Sequence, residues 1–362
     1  MEAEKLRTLT HQDLTDLVEG AAIFSAGGGG NPQIGHNIVE RLVEDRCTVR
    51  LIEPKEVPDN KIVINFACVG ATASMGYRGE AALKTLVTLE EFLGKKAYAI
   101  IPVELGGFNT LTAVDVAARR GIPVVDADGA GRAVPEVHLK VYTIDGIPLA
   151  PMTIADVEGG NIFIVKQTSD SASAERIART LATEWNQAIY TARRVLTGEQ
   201  VKTSPILGTL SKAMRLGMLI RKTVDPLGAV LKETGGFRLF EGKVDSVSHE
   251  TKQGFTWTNA VLQGIHDDED SKFEFKAKNE VLAAYRNGKL AAIAPDIITP
   301  VDYETCKSVA AEKLKKDDRL VIIGIPAPEK WRTPKGRQMW KETLKNSDLN
   351  EKYKEIEKLS RK

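Results

Sequence analysis

Between residues 48 and 126 apolar runs alternate with amphipathic stretches, and this alternation restricts the fold more than any other feature of the chain. TVRLIEP and KIVINFACVG read as strands, residues 79–92 as a helix, and KKAYAIIPVEL as a strand. NTLTAVDVAARRG reads as a helix with Asn109 as its cap, and IPVVDAD as a further strand. Strands that alternate with helices form parallel βαβ units. The first half, residues 1–168, is therefore expected to be an α/β domain with a mainly parallel sheet.

Ligands of open α/β sheets bind outside the carboxyl ends of the strands. Those ends are polar here. Cys68 and Gly70 close one strand, Glu104, Gly106, Gly107 and Asn109 follow the next, and Asp126, Asp128, Gly129 and Arg132 follow the third. Glu136 and His138 come soon after, in a segment, VVDADGAGRAVPEVH, with more functional side chains than a turn requires.

The pattern changes after about residue 168. SASAERIARTLATEWNQAIYTARRVLTG reads as one long helix from a Ser cap to Gly198, and helices are expected at 205–222 and 226–234. Runs that alternate apolar and polar residues between Gly, Asn and Asp turns then continue to RLVIIGIP. Residues 169–362 are expected to form an α+β domain, helices first and antiparallel strands after.

Near the start, Leu14, Leu17, Val18 and Ala21 mark a helix behind a Thr10 cap, and the run SAGGGGNP follows that helix. A dinucleotide fingerprint must instead follow a strand and open a helix. Gly28, Gly29 and Gly30 can still turn N–H groups toward an anion or let a ligand approach the backbone closely. Nucleotide binding and a plain turn are the competing readings.

Fifty Lys and Arg balance 49 Asp and Glu, so no basic field exists to hold nucleic acid or an anionic membrane. The expected partner is a small molecule. Only the stretch from Lys330 onward is locally basic, and its interleaved Lys and Glu read as a solvated helix face. Cys47, Cys68 and Cys306 are widely spaced and odd in number, against a disulfide framework and for reduced thiols in the cytoplasm. No run has the length of a signal core or a membrane span.

Asp126 and Asp128 stand two apart, which in a strand puts both carboxylates on one face, and Glu104 could join them. Clustered acids require a cation, a shared proton or an arginine. Three arrangements are open: a divalent metal (Mg or Mn among oxygens, or Zn with Cys68 and His138), an acid and base pair, or pairing with Arg132. The structural alternative is that the aspartates cap the following turn, with glycines supplying positive φ. Cys68 is a candidate nucleophile, a metal ligand or a core residue. Trp331 and Arg332, in EKWRTPKG, read equally as a docking turn or an active-site loop.

VELGGFNTLTAVDVAARRGIPVVDADGAGRAVPEVH, together with GGGGNP, PDIITPVDYET and WRTPKG, resembles the S-methyl thiohydantoin desulfurase-like family over nearly the whole chain. Genes of that family often stand beside those of hydantoinase and oxoprolinase subunits. The resemblance implies a hydrolase in which water attacks a hydantoin-like ring and a thiol is lost. Glu104, Asp126, Asp128 and Arg132 would be catalytic, and Gly28, Gly29, Gly30, Gly106, Gly107, Asn109 and Glu136 would bind substrate. Asp126, Asp128, Cys68 and His138 would be the ligands of any metal. The alternative is a non-catalytic, ligand-binding subunit of a hydantoinase-type enzyme, and a homo-oligomer or a complex with such a subunit is the expected assembly.

Overall fold

A computed structural model describes residues 6–74, 77–186 and 188–360. The strand β1 (Arg7–Thr8) precedes α1 (His11–Phe24), which starts at a reciprocal capping box between Thr10 and Asp13. The glycine run turns the chain into α2 (Pro32–Glu44), capped by Asn31. Then come β2 (Arg50–Ile52), β3 (Ile62–Gly70), α3 (Gly79–Leu93), β4 (Ala99–Pro102), α4 (Asn109–Arg120), β5 (Val124–Val125) and β6 (Ala127–Asp128). A short α5 (Val141–Ile144) leads to β7 (Met152–Asp156) and β8 (Ile162–Val165). Next are α6 (Ser171–Glu184), β9 (Ala188–Thr197), α7 (Gly198–Thr203), β10 (Ile206–Leu207), α8 (Thr209–Lys222) and α9 (Pro226–Thr234).

The first sheet has the order β1-β2-β5-β4-β3-β9-β7-β8. Its centre, β2-β5-β4-β3, is parallel as the βαβ alternation requires, but β1, β9, β7 and β8 pair antiparallel. The sheet is mixed, which corrects the expectation of a mainly parallel one.

The largest correction concerns the expected long helix at 171–198. It breaks at Asn186, in the left-handed region at φ 53°, and Ala188–Thr197 becomes a strand between β3 and β7. Ile189, Tyr190, Thr191 and Val195 favour that pleated, doubly covered position, and packing overrides the helical spacing. This strand completes the first sheet with residues from beyond 168.

The second sheet, β15-β14-β13-β12-β11-β17-β16, is antiparallel throughout. It comprises β11 (Phe237–Lys252), β12 (Phe255–Gly264), β13 (Lys272–Lys278), β14 (Glu280–Arg286), β15 (Lys289–Ile293), β16 (Ile297–Asp302) and β17 (Arg319–Ile325). Three helices, α10 (Glu329–Arg332), α11 (Pro334–Lys345) and α12 (Ile356–Leu359), follow it.

The halves share a core, since Ile297, Val301 and Ile323 pack in one cluster with Leu17, Phe24 and Leu111. The glycine run forms the seam. Ala26 O accepts from Val281 N (2.8 Å), Gly27 O from Ala311 N (2.7 Å), and Ile23 O from the Thr299 hydroxyl (2.7 Å). No helix among the described residues is long and apolar enough to cross a membrane.

Candidate functional site

A small cavity of about 30 Å3 lies where the parallel strands end, with room for roughly two water molecules. Cys68 and Gly70 reach it from β3, Glu104 from beyond β4, Asn109 from the first turn of α4, and Arg193 from β9. The segment after β6 brings Glu136 and Lys140, and α6 brings Arg179. The second sheet closes it with Asn279 and Glu280, at the tight reversal between β13 and β14 where Asn279 has φ 62°.

Both Glu104 oxygens are engaged. Oε1 accepts from Asn109 Nδ2 (2.8 Å), and Oε2 from Lys140 Nζ (3.2 Å) and Val134 N (3.3 Å). Asn109, expected as a helix cap, instead turns its side chain into the site, where Oδ1 also accepts from Cys68 N at 2.9 Å. Lys140 is 1% exposed, and its ammonium is neutralised by Glu104 at a buried ion pair.

Glu280 is held differently. Oε1 accepts the Gly29 N–H, while Oε2 is buried without a partner. Burial, reinforced by the charge of Glu104, pushes its carboxyl up to about 8. Glu280 therefore carries a proton at neutral pH. Arg193 donates from Nη1 to Thr191 Oγ1 at 2.9 Å, but its buried Nε has no partner. Three acids (Glu104, Glu136 and the protonated Glu280) and three basic side chains (Lys140, Arg179, Arg193) surround the space.

Burial raises the Cys68 thiol to about 12, so it lines the cavity as a neutral thiol rather than a thiolate. Glu136 reaches the site but is committed to Lys278 Nζ (2.8 Å) and the Thr343 hydroxyl (2.7 Å).

Asp126, Asp128 and Arg132 do not line the cavity. Asp126 receives Ser211 N (2.9 Å) and anchors the first turn of α8. Asp128 closes its own turn, accepting from Ala130 N (2.8 Å) and Gly131 N (2.7 Å). That is the capping alternative, and burial raises its carboxyl to about 7. Arg132 crosses to the second half, donating to Pro295 O (2.5 Å) and Asp296 O (3.0 Å), with its guanidinium 4.7 Å from the Trp340 ring centre.

No group of three or more His, Cys, Asp and Glu side chains among the described residues could hold a metal. Of the four expected ligands Cys68 lines the cavity, whereas Asp126, Asp128 and His138 do not. His138 leans toward Glu136 (3.6 Å) and Glu175 (3.9 Å) instead.

Of Gly28, Gly29, Gly30, Gly106 and Gly107, only Gly29 lines the cavity. Gly29 and Gly106 are needed because the two loops touch through their backbones, and a Cβ on Gly29 would come within 2.6 Å of Gly106 Cα. Gly28, Gly30 and Gly107 abut Glu280, Phe108 and Pro32. Trp331 is a docking residue, its indole N–H donating to Ala130 O at 2.7 Å. Lys140, Arg179, Arg193, Asn279 and Glu280 are site residues that sequence reasoning missed.

Fold and site together define a two-domain α/β protein whose cavity lies at the carboxyl ends of parallel strands and is bordered by an antiparallel sheet. Residues 12–167 match the S-Me-THD-like N-terminal domain, and residues 168–341 the S-Me-THD-like C-terminal domain. The chain belongs to the S-methyl thiohydantoin desulfurase-like family. A crystal structure of a protein from Chromobacterium violaceum shares the fold, with a TM-score of 0.80 at 24% identity over 97% of this chain and 100% of that one. No curated protein is a significant match.

Proposed function

We propose that the chain is a hydrolase of small hydantoin-like rings, with S-methyl thiohydantoins as the substrate class, acting at the Glu104 and Glu280 cavity. One observation carries this reading. Two acids with opposite environments face one buried space, Glu104 accepting from three donors and Glu280 raised to about 8 with a free oxygen. Such pairs divide the base and acid roles.

In the proposed reaction the oxygen of a water bonds to the ring carbon that bears sulfur. One water proton passes through Glu104 to the adjacent ring nitrogen. The other leaves with sulfur through Glu280, as a thiol, when the carbon–sulfur bond breaks and the ring carbonyl forms. Lys140 and Arg193 stabilise the negative charge that develops on the way. A ring needs more than 30 Å3, so the cavity must widen to admit it. Purified protein offered an S-methyl thiohydantoin tests this by thiol release, and absence of release at any substrate concentration contradicts it.

The small size of the cavity favours a second reading, a non-catalytic binding partner of a hydantoinase-type enzyme. A stable complex in which only the partner has activity would support that reading.

A further inference from the structure

The second half carries a concavity that shares no lining residue with the proposed reaction site. It is a groove of about 370 Å3 between α11 and residues 349–353, within the size range of small-ligand pockets. Its floor is apolar and aromatic, formed by Trp340, Leu344, Leu349 and Tyr353, and Lys341, Lys345 and Lys352 stand on its rim. The domain match ends at residue 341, so most of this groove is built by chain beyond it.

Two features of the groove lack their complement. Arg337, Lys341 and Lys345 follow one another at four-residue spacing on α11, where like charges repel. Arg337 is answered by Glu355 at 3.0 Å, but Lys341, Lys345 and Lys352 form no ion pair among the described residues. Glu351, the acid of the groove, already accepts the Tyr285 hydroxyl at 2.6 Å. The indole N–H of Trp340, only 1% exposed, has no acceptor. Buried indole N–H groups are ordinarily paired.

We infer that this groove binds a small aromatic anion, its ring against Leu344, Leu349 and Tyr353 and its charged group among the three lysines. The surplus positive charge selects an anion, and the aromatic floor selects a ring.

Titration of the full chain with anilinonaphthalene sulfonate, followed by dye fluorescence, tests the inference, with phenylnaphthylamine as the same ring system without the charge. The sulfonate should saturate one site, and Lys341→Glu and Lys345→Glu should each weaken it about tenfold. Neither should change the affinity of the neutral amine. Both lysines are exposed, and unchanged urea midpoints would confirm that the variants fold. Sulfonate affinity untouched by both charge reversals, or equal affinity for the neutral amine, overturns the inference.

Discussion

The backbone N–H of Gly29 donates to Glu280 Oε1 at 3.2 Å, tying the glycine run to an acid 251 residues further along. The run is thus both a seam between the halves and part of the wall around Glu280. A side chain there must act on both. Gly29 has φ 65° and a Cβ would press on Gly106, whereas Gly94, at φ 62°, has nothing within 4 Å. Gly29→Ala should cost at least about 2 kcal/mol and Gly94→Ala about 1 kcal/mol, the difference being the backbone contact. Urea unfolding of the two variants checks the ordering.

The Lys140 and Glu104 pair is buried on both sides, at 2% and 8% side-chain exposure. Removing one member of such a pair strands the other charge. Lys140→Met should cost about 3–5 kcal/mol, and adding Glu104→Gln should recover part of that loss. A double variant less stable than the single would contradict the pairing.

Glu280 also predicts a pH dependence. Its carboxyl rises from 4.5 to about 8 on folding, so between those values the folded chain holds a proton that the unfolded chain has released. Stability attributable to this group therefore falls as pH rises through that window. Asp128, raised from 3.8 to about 7, acts in the same direction. Urea midpoints measured from pH 5 to pH 8 should decline less steeply in Glu280→Gln than in the parent chain.

Asp126 should behave as a structural residue. Asp126→Asn weakens its bonds to Ser211 at the first turn of α8 and is expected to cost about 1–2 kcal/mol, as other helix-terminal caps do. Turnover of any accepted substrate should be kept. A large loss of turnover at full stability would return Asp126 to the reaction.

Local rules exposed much of this architecture in the sequence. The Thr10 cap, the helix at 226–234 and the parallel alternation around KIVINFACVG follow from spacing and capping alone. The strand at 188–197 did not follow, because its helical spacing and its strand propensity conflict and the sheet decides between them. The site divides in the same way. Glu104 and Asn109 stood out at a strand end, whereas Glu280 acquires its role only when β14 reaches Gly29 across the fold. Lys140 was passed over because a lysine in a polar turn reads as solvated. Arg193 and Arg194 had left a usable signal, two adjacent arginines within an apolar run, and they are 1% and 0% exposed.

The most direct test of the central claim is thiol release from an S-methyl thiohydantoin by the parent chain, Glu104→Gln, Glu280→Gln and Asp126→Asn, measured side by side. The cavity assignment predicts release by the parent and by Asp126→Asn, with a loss of at least about 100-fold in each glutamate variant. Folded Glu104→Gln and Glu280→Gln proteins that turn over substrate at the parental rate would contradict it.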